Sequence, residues 1–83
     1  MLSRTDRKSK YRAIEDLRRR RIANLLLIRD AYESQGACAR HLGLTEPFMS
    51  QILSGARNIG EVLARDIERA AGKPEGWLDQ RRT

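Results

Sequence analysis

The stretch QGACARHLGLTEPFMSQILSG, residues 35–55, holds two short helical segments separated by a three-residue turn. Gly43 stands at the start of that turn, and glycine readily adopts the left-handed conformation that ends a helix. The Thr45 hydroxyl can cap the next helix, and Pro47 suits its first turn because a missing N–H costs nothing there. The pattern therefore predicts a tight helix-turn-helix, with helices over about 35–42 and from about 46 to the glycine at position 55.

The rest of the chain also reads as helix, because no alternating apolar pattern or Asn-Gly turn indicates a strand. A first helix is expected to begin between Ser9 and Arg18 and to end near Tyr32. A fourth is expected over about 60–71, closed by Gly72, with an apolar face made of Ile59, Val62, Leu63, Ile67 and Ala70. A short last turn carries Trp77, which is expected to cover the core. The predicted fold class is all-α.

The size of the chain limits its function. A chain of 83 residues forms one domain and has little room for an enclosed catalytic cavity. No nucleophile stands beside a base, and no phosphate-binding glycine loop or paired-carboxylate motif is present, so we expect no enzyme. Cys38 and His41 are too few to hold a metal ion, and no cofactor is expected.

The expected location is the cytoplasm. The single cysteine cannot form an intrachain disulfide, which favours a reducing compartment. The longest apolar run, Leu25–Ile28, is far shorter than the ~20 residues that span a membrane. The basic start is followed by more charge rather than by the apolar stretch of a secretory signal.

The basic charge is concentrated at the N-terminus. Residues 1–21 hold nine Lys or Arg and three acidic residues, whereas residues 22–83 hold eight of each sign. We therefore divide the chain into a basic arm or helix extension over 1–20 and a domain over 21–83. Such an arm is typical of nucleic-acid binding, although a solvated leader has the same composition. Because the arginine run repels itself, the arm is expected to be frayed without DNA.

Short polar side chains alternate with apolar ones in the third predicted helix. Five apolar residues are expected to face the core, Leu42, Leu44, Met49, Ile52 and Leu53, and Phe48 is expected to cover the later helices. Five polar residues are left on the outer face: Thr45, Glu46, Ser50, Gln51 and Ser54. An exposed helix fits the major groove, where such side chains can form hydrogen bonds with base edges.

The identity and spacing of nine residues resemble the lambda-repressor-like helix-turn-helix family of Cro and phage repressors. These residues are Gln35, Ala39, Gly43, Leu44, Met49, Ile52, Ser54, Gly55 and Arg57. Residues 60–79 are similar to the fourth and fifth helices of that family. The resemblance implies a compact five-helix DNA-binding regulator, usually a homodimer on a two-fold operator. It also implies that Gln35, Arg57 and Asn58 hold phosphate, while the outer residues of the third helix face bases.

The third helix has no Lys or Arg, so the sequence assigns most of the phosphate attraction to the arm, including Arg18, Arg19, Arg20 and Arg21. Gly36 stands where the family has a polar helix former, which is expected to weaken the second helix by ~1 kcal/mol. The alternative function is a helical protein-interaction module, such as an antitoxin that targets a partner protein. It is favoured by the neutral core and by the run Leu25–Ile28. Both that run and the turn at Trp77 and Leu78 are candidate dimer surfaces.

Overall fold

A computed structural model describes residues 4–82, with side chains described from residue 11 onward. Within that range the chain is all-helical, without a strand. Its elements are α1 (Arg4–Asp30), α2 (Gln35–Leu42), α3 (Glu46–Leu53), α4 (Glu61–Ala71) and a 3-10 turn (Trp77–Asp79). The described chain thus has the four α-helices and the short last turn that the residue pattern predicts, and not the five helices that the family resemblance implies.

Helix α1 begins earlier than the sequence predicted, at Arg4 rather than between Ser9 and Arg18. It contains no Gly or Pro along its 27 residues, and its Lys, Arg, Glu and Leu residues favour helix. The helix crosses the predicted boundary at residue 20 without a break, so the basic segment from Arg4 onward is continuous with the rest of α1. At 1.5 Å per residue, residues 4–20 extend it by about 25 Å.

The helix-turn-helix has the local structure that its sequence predicts. Gly43 closes α2 with φ 74°, in the left-handed region. The Thr45 hydroxyl accepts a hydrogen bond from the Phe48 amide at 3.2 Å, and Pro47 lies in the first turn of α3. Ser34, which the sequence analysis did not single out, caps α2 by accepting a hydrogen bond from the Ala37 amide at 3.0 Å. Both helices therefore start at side-chain caps, each of which satisfies a backbone N–H in the first turn.

One core joins the four helices. Its buried apolar residues are Leu25, Ile28, Cys38, Ala39, Leu42, Met49, Ile52, Ile59, Ala64, Ile67 and Leu78. Leu44, Phe48, Leu53 and Trp77 pack against this core while half-buried, as the sequence predicted. The prediction for Val62 is wrong, because its side chain is 76% exposed in the first turn of α4. The core holds the inner side of α3 and leaves the outer side to solvent.

Three buried polar residues attach the last turn to α1 and α4: Arg21, Asn24 and Glu68. The Glu68 carboxylate accepts hydrogen bonds from the amides of Gly76 at 3.1 Å and Leu78 at 2.8 Å. The Asn24 amide donates to the carbonyls of Leu78 and Gln80, both at 2.8 Å. The 3-10 turn is therefore held by side chains of two helices as well as by the burial of Leu78.

Asp79 joins this network on the side of α1. Its carboxylate accepts hydrogen bonds from Arg21 Nε at 2.6 Å and from Arg65 Nη2 at 2.7 Å. Arg21 also donates to the Ile59 carbonyl and to Glu61, each at 2.9 Å. The Arg21 hydrogen bond is the main reason why the pKa of Asp79 lies below its ordinary value, with Arg65 contributing against the opposing effect of burial.

The lowered pKa of Asp79 makes part of the stability depend on pH. A carboxyl group with a depressed native pKa stabilises the fold above its unfolded pKa of about 3.9, and this contribution is lost as the pH falls through the native pKa. We expect Asp79→Asn to remove that part of the acid dependence. Denaturant unfolding between about pH 6 and pH 2.5 measures it. An equally steep loss of unfolding free energy in both proteins would contradict the role of Asp79.

Candidate nucleic-acid interface

The outer side of α3 is a polar, exposed surface. Each of the five residues predicted to face bases is exposed: Thr45, Glu46, Ser50, Gln51 and Ser54. On the opposite side, Met49 and Ile52 are completely buried in the core. The helical period separates the two sets, so a rigid apolar anchor supports a row of short polar groups.

Two of these polar side chains also have local roles at the ends of α3. The Thr45 oxygen caps the helix, which leaves its hydroxyl proton free to donate. The Ser54 hydroxyl donates to the Gln51 carbonyl at 3.0 Å and accepts a hydrogen bond from the Ala56 amide at 3.4 Å. Ser54 therefore closes the helix, while its side chain stays exposed like those of the other four residues.

Glu46 lies against the first turn of α2. A Cβ atom built on Gly36 would be closer than 3.0 Å to the Glu46 carboxylate. Real Cβ atoms essentially never approach this closely, so the glycine gives the carboxylate its space. From the sequence alone, Gly36 is only a weak helix former, because the close approach of Glu46 in α3 to Gly36 in α2 depends on how the two helices pack. The Glu46 side chain therefore lies close to the Gly36 backbone of α2.

Arg57 brings a positive charge onto the outer face of α3. Its Nε donates to Gln51 Oε1 at 2.5 Å, and its guanidinium lies over the Phe48 ring, 5.4 Å from the centroid. Gln51, Phe48 and Arg57 are thus one contact group, in which Arg57 lies six positions after Gln51 and nine after Phe48. Arg57 was predicted from the sequence as a phosphate contact in the loop after the third helix, but its contacts with Gln51 and Phe48 were not.

The other predicted phosphate contacts lie at helix ends and in loops. Gln35 is half-buried at the start of α2, and its amide oxygen accepts a hydrogen bond from Arg29 at 3.5 Å. Asn58 is exposed in the loop between α3 and α4. Arg29 was not predicted as a site residue, and the structure places its guanidinium beside Gln35.

The arginine run at residues 18–21 divides into two parts. Arg18 and Arg19 are exposed and Arg20 is half-buried, so these three remain accessible. Arg21 is only 5% exposed, and its guanidinium donates to Asp79, Glu61 and the Ile59 carbonyl. The prediction that Arg21 holds phosphate is therefore wrong, because its donors are already occupied within the fold.

A basic cleft joins the run to the C-terminal segment. It has a volume of about 280 Å³ and is lined by Arg19, Arg20, Arg81 and Arg82 together with Asp16. Arg82 also lies over the Trp77 ring, 3.8 Å from its centroid. The arginines near the C-terminus extend the basic surface, and the sequence analysis did not include them because they are distant in the chain.

An apolar cleft of about 410 Å³ lies between the C-terminal ends of α1 and α4. Its lining includes Leu27, Ile28, Tyr32, Ala71 and Trp77. Within the run Leu25–Ile28, only Leu27 has a strongly exposed side chain, since Leu25 and Ile28 belong to the core. The two candidate dimer surfaces therefore meet in a single cleft.

Within residues 4–82, no group of three or more His, Cys, Asp or Glu residues is arranged to hold a metal ion. None of the helices in the same part of the chain combines the length and the apolar character needed to cross a bilayer. Burial raises the pKa of the Cys38 thiol, which is fully enclosed in the core. This thiol behaves as a small apolar side chain.

Comparison with known proteins adds no relative to these observations. No protein-family model matches the chain, and searches of curated proteins and of solved structures gave no match. The function proposed below therefore depends on the chain's own residues and their arrangement.

Proposed function

We propose that this chain is a cytoplasmic, sequence-specific regulator of transcription that binds double-stranded DNA and acts as a repressor. In this proposal the domain is a lambda-repressor-like helix-turn-helix, and α3 lies in the major groove. One observation carries the proposal: α3 buries Met49 and Ile52 completely while its opposite side presents short polar groups to solvent. Such a helix meets the steric and hydrogen-bonding requirements of groove reading.

The distribution of charge supports the same function. Arg18 and Arg19 are exposed on the helix extension, and Arg20 shares the basic cleft with Arg81 and Arg82. Arginines attract phosphate without reading sequence, so these residues supply affinity. Gln35 lies at the start of α2, and Asn58 lies in the loop that follows α3. In this proposal both residues contact phosphate and so fix the register of α3 on the duplex.

The proposed assembly is a homodimer on a two-fold operator. The family resemblance implies this arrangement, and the apolar cleft beside Leu27 and Trp77 offers the contact surface. A two-fold contact places the same patch of each copy against the other. Two reading helices related in this way would each occupy one half-site.

A second candidate function is a protein-interaction module of the antitoxin type. The apolar cleft favours it, because a partner protein can fill the cleft as well as a second copy can. The run Leu25–Ile28, which first suggested this function, supports it less strongly, because Leu25 and Ile28 are 0% and 4% exposed inside the chain's own core. A gel shift with the duplex upstream of the chain's own gene separates the two functions, since only the regulator is expected to bind it selectively over random duplex.

Gln51→Ala is expected to lower affinity for that duplex by roughly 1 to 3 kcal/mol while changing random-duplex binding little. The reason is that a base contact carries sequence information, whereas a phosphate contact does not. Titration of both duplexes by fluorescence anisotropy at one salt concentration measures the difference.

Gln35→Ala is the matched control, because it makes the same chemical change at a proposed phosphate contact. It is expected to weaken binding to both duplexes by the same factor. If Gln51→Ala lowers the affinity for both duplexes equally, Gln51 does not contact a base. Equal affinity of the wild-type protein for the two duplexes would count against sequence-specific recognition altogether.

A further inference from the structure

Arg57 is held against α3 by three contacts to two residues. Its backbone amide donates to the Gln51 carbonyl at 3.1 Å, its Nε donates to Gln51 Oε1 at 2.5 Å, and its guanidinium lies over the Phe48 ring. The side chain nevertheless remains exposed. Arg57 is therefore oriented before any ligand arrives, which reduces the entropy lost when it binds.

The atoms that remain available define the ligand. Nε is occupied by Gln51, while Nη1 and Nη2 make no hydrogen bond to the side chains or backbone of residues 11–82. These two nitrogens form a planar pair of donors at the far end of the guanidinium. In the major groove, guanine presents O6 and N7 as two neighbouring acceptors, and the arginine fork fits this pair in bidentate fashion.

We propose that Arg57 reads a guanine in the major groove and that Gln51 is its positioning residue. The proposal rests on the proposed function and specifies it further, because it requires a G·C pair in the operator opposite the C-terminal half of α3. It reassigns Arg57 from the phosphate contact that the family resemblance implies. The arginine fork also binds phosphate, so the two assignments differ in whether one base is preferred at a single position of the site.

The test is a binding selection from a pool of random duplexes with the full chain and with Arg57→Lys. Lysine keeps the charge but lacks the planar fork, so it retains phosphate attraction and loses bidentate recognition. We expect the wild-type protein to enrich a motif with a strongly preferred G. Arg57→Lys is expected to reduce that preference by about tenfold or more at this position alone. Gln51→Met removes the acceptor for Nε and is expected to weaken the preference at the same position.

A second measurement uses the enriched duplex with 7-deazaguanine at the preferred position, which removes the N7 acceptor. Wild-type affinity should fall by about tenfold, while the affinity of Arg57→Lys should change little. The wild-type loss shows that the N7 atom is contacted, and the absence of that loss in Arg57→Lys assigns the contact to Arg57. A purely structural role for Arg57 would produce equal losses in both proteins.

The outcomes separate the two proposals. A motif that is enriched equally by wild type and Arg57→Lys, or equal losses of both proteins on the 7-deazaguanine duplex, overturns the guanine assignment and leaves the proposed function standing. A wild-type protein that enriches no motif overturns the proposed function, and the guanine assignment with it.

Discussion

Arg21→Ala should lower the free energy of unfolding by about 2 to 3 kcal/mol, the largest stability effect that we expect from any basic residue in the chain. The guanidinium is buried and links Asp79, Glu61 and the Ile59 carbonyl. The substitution removes the hydrogen bond that the Ile59 carbonyl accepts from Arg21, and it leaves Asp79 paired with Arg65 alone. The C-terminal turn would then lose its charged link to α1, although Arg65 and Asn24 still hold it.

Arg19→Ala is the matched control, because it removes the same side chain two positions earlier. Arg19 is 78% exposed and meets Glu15 only at 3.8 Å. Exposed pairs of this kind contribute little, so we expect a change within about 0.5 kcal/mol. Denaturant unfolding of the three proteins measures the difference. Equal effects of the two substitutions would show that Arg21 is not bound into the core.

Deleting residues 1–17 should weaken DNA binding by about 100-fold at ~0.1 M salt while leaving the domain folded. The deletion removes Arg4, Arg7, Lys8, Lys10 and Arg12. If about three phosphate contacts per subunit are lost, the slope of log affinity against log salt should flatten by roughly 3 per subunit. The fold should persist because, among the α1 side chains described from residue 11 onward, the buried ones begin at Arg21.

Affinity measured from about 50 to 200 mM salt gives this slope directly. A full-length variant with glutamine at those five basic positions keeps the helix extension and removes only its positive charge. It should reproduce the affinity and slope of the deletion. If both variants keep the wild-type affinity and salt slope, the helix extension does not contribute to DNA binding. If only the deletion weakens binding, the extension contributes through its shape and not through its positive charge.

The helix-turn-helix could be predicted from sequence because its determinants are local. Gly43 requires a positive φ, Thr45 caps the following helix, and Gly72 closes α4 with φ 71°. Each signal acts within a few residues, so the bounds of α2 were predicted as the structure has them. The exposed face of α3 could also be predicted, because the helical repeat alone separates its polar residues from its apolar ones.

The features that escaped prediction depend on contacts between distant parts of the chain. Arg21 pairs with Asp79 across 58 positions, and nothing beside it in the sequence distinguishes it from the three arginines before it. The helical repeat did offer one signal. Positions 21, 24, 25 and 28 lie on one face of an α-helix, so Arg21 and Asn24 are expected on the same side as the core residues Leu25 and Ile28. Arg57 was predicted as a site residue, but its contacts with Gln51 and Phe48 were not, because they depend on how the loop after α3 folds back.

Amide chemical-shift mapping of the labelled full chain with the duplex upstream of its own gene tests most directly whether α3 reads DNA. At saturation, we expect the largest changes at residues 45–51, in the Gln51 side-chain amide and at Arg57 Nε. A non-specific duplex should produce smaller changes there and retain those of the helix extension. Changes confined to residues 4–20, with α3 unaffected by either duplex, would contradict the proposed role of α3.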